Sequence, residues 1–75
     1  MTDVYLDETY IGTVEKAQDF IRQFKEERRA GKIPGFINIG YSEKFNEVCI
    51  EASKGRARRP LIVVENGKSK LTDLI

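Results

Sequence analysis

TVEKAQDFIRQFKEERRAG, residues 13–31, repeats its apolar side chains at helical spacing: Val14, Ala17, Phe20, Ile21 and Phe24 fall at i, i+3, i+4 and i+7 intervals and make one buried stripe. Thr13 offers an N-cap oxygen. Glu15 and Asp19 lie near the positive end of the helix dipole, and Arg28, Arg29 and Lys32 lie near its negative end. Gly31 is placed to take the left-handed conformation that stops a helix. A helix with a single apolar stripe needs a surface to cover, so the flanking segments are expected to supply a sheet.

On the N-terminal side, Val4-Tyr5-Leu6 and Thr9-Tyr10-Ile11-Gly12 are rich in β-branched and aromatic residues, and Asp7-Glu8 between them predicts a tight hairpin turn. On the C-terminal side, after Pro34-Gly35, Ile37, Ile39 and Tyr41 alternate with Asn38 and Gly40, which predicts a strand with those three facing inward. Ser42 to Phe45 form a polar connection. Asn46 to Ala52 alternate again, with Val48 and Ile50 inward and Glu47, Cys49 and Glu51 outward, so the two segments are expected to pair. Lys54-Gly55 reads as the turn that ends this hairpin. Leu61-Ile62-Val63-Val64, between Pro60 and Asn66-Gly67, is a continuous apolar run of the kind covered on both faces, and it is the best candidate for a central strand. The fold expected is α+β: ββαβββ, a small, mostly antiparallel sheet covered by one amphipathic helix. Residues 68–75 add a turn, an N-cap at Thr72 and the apolar Leu71, Leu74 and Ile75, with nothing left to pack on. Residues 1–67 are therefore expected to form the domain, and 68–75 to begin a linker or a further domain.

The 75 residues leave room for one small core, and 40% hydrophobic with 33% charged side chains suits a soluble globular chain. The lone Cys49 closes no intrachain disulfide, and no apolar run of about 18 residues points to a membrane, so a reducing, cytoplasmic setting is expected. The net charge of +1 hides an asymmetry. Residues 1–51 hold seven basic and ten acidic side chains, whereas residues 52–75 hold six and two.

With no histidine and one cysteine, the usual zinc spacings and the Ser-His and Cys-His arrangements cannot be assembled. The acids occupy exposed positions, Asp7 and Glu8 in a turn and Glu26 and Glu27 on the polar helix side, where solvation is the ordinary role. Cys49 shares a strand face with Glu47 and Glu51, the wrong surroundings for a reactive thiolate, and reads as a half-buried structural thiol. Gly31 to Gly35 is too short for a phosphate loop. The group that asks for a partner is Lys54, Arg56, Arg58 and Arg59: four cations within six residues repel one another and gain from an acidic partner. Guanidinium forks on phosphate would bind nucleic acid with strong salt dependence. No aromatic lies in the cluster to stack bases, and in a strand Arg59 would point away from Arg56 and Arg58. At least one of the arginines could equally serve the chain's own carbonyls or carboxylates.

The run Gly55-Arg56-Ala57-Arg58-Arg59-Pro60-Leu61-Ile62-Val63-Val64-Glu65-Asn66-Gly67 resembles the Gly-Arg-x-x-Arg-Pro-Leu motif of the second-largest subunit of archaeal and eukaryotic multisubunit RNA polymerases. Tyr5-Leu6 with Tyr10-Ile11-Gly12 resembles the family's opening hairpin. Arg28-Arg29-Ala30-Gly31-Lys32-Ile33 resembles its Arg-Arg-x-Gly-x-Ile segment, and Asn46-Glu47-Val48 a later strand element. Nearly the whole chain is covered in order, as the second external domain, domain 4. The departures are local: Ala52-Ser53-Lys54 stands where relatives have Thr-Asp-Ala, and Cys49 where a basic residue is common. The ending Val-Val-Glu-Asn-Gly is closer to the archaeal pattern.

The resemblance implies a structural part in DNA-templated transcription with no catalysis and no cofactor of its own, the catalytic aspartates and the zinc site lying in other segments. The partners it implies are other polymerase domains and subunits, and DNA or RNA through the whole complex, with no membrane and no small-molecule substrate. It also implies a reading frame that continues past Ile75. The alternatives are a free-standing nucleic-acid-binding module using Lys54 to Arg59, and a small enzyme using Cys49 or a carboxylate.

Overall fold

A computed structural model describes residues 1–52, 60–65 and 67–74, which form the strands β1 (Thr2–Leu6) and β2 (Thr9–Val14), the helix α1 (Ala17–Arg29), and the strands β3 (Asn38–Ser42), β4 (Glu47–Glu51), β5 (Pro60–Glu65) and β6 (Lys68–Leu74). Two hairpins lie side by side in a four-stranded sheet of order β2-β1-β4-β3, and β5 and β6 form a separate two-stranded antiparallel sheet. The hairpin pairs are antiparallel, and the central pair β1–β4 is parallel, with Val4 opposite Val48 and Leu6 opposite Ile50. The α+β class, the mostly antiparallel sheet and the single covering helix agree with the sequence reading.

The β1–β2 turn is Asp7-Glu8, with both residues at positive φ (47° and 76°), the twist that a two-residue hairpin needs. Between Val4 and Tyr5 the register shifts: Val4 pairs with Gly12 and Tyr5 with Tyr10, so Ile11 is the extra residue of a bulge. Ile11 packs, half-buried, against the core. The helix starts later than expected. Thr13 and Val14 belong to β2, opposite Asp3 and Thr2, and the N-cap position falls to Lys16 without a side-chain cap bond. For two β-branched residues, cross-strand pairing outweighs the local cap. Val14 is buried, as its place in the apolar series implied, but from the end of a strand.

At the other end the helix closes as its sequence indicated. Gly31 sits at φ 83°, its N–H donates to the Arg28 carbonyl at 3.1 Å, and the Lys32 N–H donates to the Glu27 carbonyl at 3.0 Å, the paired bonds of a Schellman stop.

Ala17, Phe20, Ile21 and Phe24 meet Val4, Val48 and Ile50 from the sheet, and Ile33 and Ile37 close the core from the connection between α1 and β3. Ile37 therefore precedes β3 while keeping its inward position. Tyr41 does not: at the sheet's edge it is 37% exposed, and Ile39 is only half-buried.

The central strands are β1 and β4, so the position expected for Leu61 to Val64 is corrected. Those residues lie in β5, outside the main sheet, where Ile62 is buried and Val63 and Val64 are half-buried. A short apolar run states that a segment is covered without stating by what. Lys68–Leu74 is also a strand, a sixth, paired with β5 from Glu65–Lys68 to Pro60–Leu74, and Thr72 lies within it instead of capping a helix. The β5–β6 hairpin packs on the helix side of β2, where a Cβ on Gly12 would lie 3.2 Å from Val64 Cβ.

Candidate functional site

Lys54, Arg56, Arg58 and Arg59 lie outside the described residues, as does the Lys54-Gly55 turn. The structure describes the two points between which this basic segment runs. On one side, Ala52 is buried and its N–H donates to Asp7 Oδ1 at 3.0 Å, while the Asp7 N–H donates to the Ile50 carbonyl at 2.9 Å. Asp7 thus clips the end of β4 to the β1–β2 turn, and the basic segment leaves the sheet from that clip. On the other side Pro60 opens β5, in register with Leu74. Asp7 is a structural acid, which corrects the solvating role expected for it. An Asp in the first position of a positive-φ turn was the available signal, since its short side chain tolerates that conformation and reaches nearby N–H groups. Asp7→Ala is expected to lower stability by about 1–3 kcal/mol through the unsatisfied Ala52 N–H. A thermal melt reads this, and an unchanged melting temperature would refute the clip.

Three further polar side chains fasten the chain to itself. Asn46, at φ 52°, ends the β3–β4 turn: its Oδ1 accepts from Tyr41 Oη at 2.8 Å and Thr2 Oγ1 at 3.0 Å, and its Nδ2 donates to the Met1 carbonyl at 2.9 Å. Arg28 Nη1 donates to the Ile37 carbonyl at 2.9 Å, tying the last helical turn to the start of β3. Gln23 Oε1 accepts from the N–H and the hydroxyl of the buried Ser69, at 3.2 and 3.3 Å, which joins β6 to the helix. Gln23 Nε2 is buried and has no hydrogen-bond partner among the described residues. The Arg22–Asp19 pair, 3.2 Å apart with both side chains more than half exposed, adds little.

The face of the four-stranded sheet turned away from the helix carries Asp3, Glu47 and Glu51, together with Cys49 and the Tyr5–Tyr10 pair, whose rings meet edge to face at 5.8 Å. Partial burial, with the Glu47 and Asp3 carboxylates, pushes the Tyr5 phenol above its ordinary pKa. Cys49 is exposed on this face, not half-buried as expected, and stands between the two glutamates of β4. A cleft of about 650 Å³ opens where β2, the start of α1 and the β5–β6 turn converge. Its lining includes Val14, Lys16, Phe20, Gln23 and Lys68. Among the described residues, no three or more Cys, Asp or Glu side chains converge to hold a metal ion, and no helix is long and apolar enough to cross a membrane.

The family model for RNA polymerase Rpb2, domain 4, matches residues 4–65, from β1 through β5. The chain is 39% identical over 66 residues to the DNA-directed RNA polymerase subunit Rpo2 of Sulfolobus acidocaldarius, an alignment covering 85% of this chain and 6% of that protein. It is 39% identical over 71 residues to the DNA-directed RNA polymerase III subunit RPC2 of Saccharomyces cerevisiae, covering 95% and 6%. It is 35% identical over 63 residues to the subunit 2 of RNA polymerases IV and V of Arabidopsis thaliana, covering 84% and 5%. Archaeal and eukaryotic relatives match alike, and the chain spans about 6% of the length of the first two.

Proposed function

The chain belongs to the RNA polymerase Rpb2, domain 4 family, and on that basis we propose that it serves as a scaffold module of the second-largest subunit of a DNA-directed RNA polymerase, without catalysis of its own. The observation that carries the scaffold reading is where the polar side chains go. Asp7, Gln23, Arg28 and Asn46 each join segments distant in sequence or secure the end of an element. Groups already engaged in holding backbone are poor candidates for proton transfer or for gripping a substrate. In this reading the chain works in the cytoplasm, its partners are the other domains and subunits of the polymerase, and it takes no small-molecule substrate and no cofactor.

Lys54, Arg56, Arg58 and Arg59 are the proposed contact residues, offering cations to an acidic neighbour from a segment whose start is fixed by the Asp7–Ala52 clip. The test is purification of the polymerase from cells in which the native gene that encodes this sequence carries a tag, together with whatever further sequence that gene encodes. Co-purification in stoichiometric amount is expected, and a chain that elutes alone would overturn the proposal. Replacing Arg56, Arg58 and Arg59 by Ala in that complex identifies the neighbour. If the arginines meet phosphate, the slope of log affinity against log salt for nucleic acid falls by about one per cation removed. If they meet protein, the slope is unchanged and retention of the chain in the complex falls instead.

A further inference from the structure

The two outer strands of the main sheet are finished differently. At one edge, β2 carries the Ile11 bulge, and the β5–β6 hairpin packs close beside it at Gly12 and Val64. Bulging an edge or covering it are the ordinary ways to stop another strand from pairing there. At the other edge, β3 has neither. Its register with β4 runs without interruption from Asn38–Glu51 to Ser42–Glu47, its sequence Asn-Ile-Gly-Tyr-Ser has no proline and no charge, and no strand among the described residues pairs with its outer side. Five residues of extended backbone thus present a row of N–H and C=O groups to the surroundings.

The side chains along this edge are also only partly covered by the described residues. Ile39 and Tyr41 are in register with the buried Ile50 and Val48, so they lie on the helix side of the sheet, yet Ile39 is half-buried and Tyr41 is 37% exposed. At the tip of the same hairpin Phe45 is 64% exposed, with Lys44 Nζ 5.4 Å from its ring centroid. The tip is held in place, because the next residue, Asn46, bonds to Tyr41, Thr2 and the Met1 carbonyl. A fixed, partly apolar edge continuous with an exposed aromatic tip is a surface prepared for an incoming strand.

We propose that the β3 edge is the docking surface of this module, and that its occupant is an extended segment of the polymerase that adds to the sheet as a strand beside β3. The inference rests on the polymerase reading above. The incoming segment carries apolar residues at alternate positions, to meet Ile39 and Tyr41 on the helix side, and polar residues between them, facing the side that bears Asn38, Gly40 and Ser42. A further apolar residue beyond the strand packs on Phe45. Main-chain hydrogen bonds supply the attachment, and the alternation sets its register.

Amide hydrogen exchange, measured on the 75-residue chain alone and on the purified polymerase containing it, tests this. The outward amides of Asn38–Ser42 are expected to exchange at least about tenfold more slowly in the polymerase, with the amides of β1 and β4 changed much less. Tyr41→Lys, which places an inward charge on the edge, is expected to return the β3 amides to their faster exchange in the complex while the isolated chain keeps its cooperative melt. If the chain is in the polymerase and β3 exchanges as it does alone, the docking surface is elsewhere and the inference is overturned while the polymerase reading stands. If the chain does not enter the polymerase, both fall. If the isolated chain already protects β3 and has the mass of a dimer, the occupant is a second copy and the inference is overturned.

Discussion

Phe24→Ala is expected to abolish the cooperative unfolding transition of the chain. Phe24 is fully buried, one helical turn from Phe20, where the helix stripe meets the sheet. Truncation of a core phenylalanine costs about 3–5 kcal/mol, because the transfer of the ring out of water is lost and the cavity collapses only in part. A single core in a chain this short contributes only about 3–5 kcal/mol in total, so one substitution removes roughly the whole margin. Phe24→Leu keeps most of the volume and is expected to cost roughly 1–2 kcal/mol, lowering the melting temperature by about 4–16 °C for a domain of this size. The chain has no tryptophan, so far-ultraviolet circular dichroism is the suitable readout. A cooperative melt of Phe24→Ala close to that of the parent would show that the helix stripe is not the main source of stability.

The second large effect is expected at Gly12. Its φ of 146° lies where residues with a side chain are strained, and an added Cβ would stand 3.2 Å from Val64 Cβ. Gly12→Ala is therefore opposed twice, by the backbone and by the hairpin packed on β2, and is expected to cost about 1–3 kcal/mol. The two contributions can be separated. Val64→Gly in the Gly12→Ala background removes the Cβ that makes the contact but not the backbone strain, so the double mutant should lose less than the sum of the two single losses. Additive losses would mean that β5 does not bear on β2 at this point.

The consequence of Gly12 for architecture reaches beyond its own energy. Because Val64 packs where a Cβ on residue 12 would stand 3.2 Å away, this glycine helps place the β5–β6 hairpin where Ile62 enters the common core. A glycine in the second strand of a hairpin is visible in the sequence, but its neighbour 52 positions later is not. The same holds for Gln23 and Asn46. Each is an ordinary polar residue locally, and each becomes structural only when Ser69 or Met1 is brought alongside. The basic segment between Ala52 and Pro60, by contrast, stands out from its composition alone, because charge density needs no folded context to be noticed.

The sequence by itself determined the helix stripe from Ala17 to Phe24, its Gly31 stop, the two-residue turn at Asp7-Glu8, the alternation of Val48 and Ile50, and the family, because helical period, strand period and turn chemistry act over a few residues and leave a local record. The tertiary structure decided that β1 and β4 run parallel at the centre, that Thr13 and Val14 complete a strand instead of starting the helix, and that Leu61 to Val64 join a sixth strand outside the main sheet. Those outcomes depend on which distant surfaces bury one another, a competition between whole elements that no single stretch of sequence records.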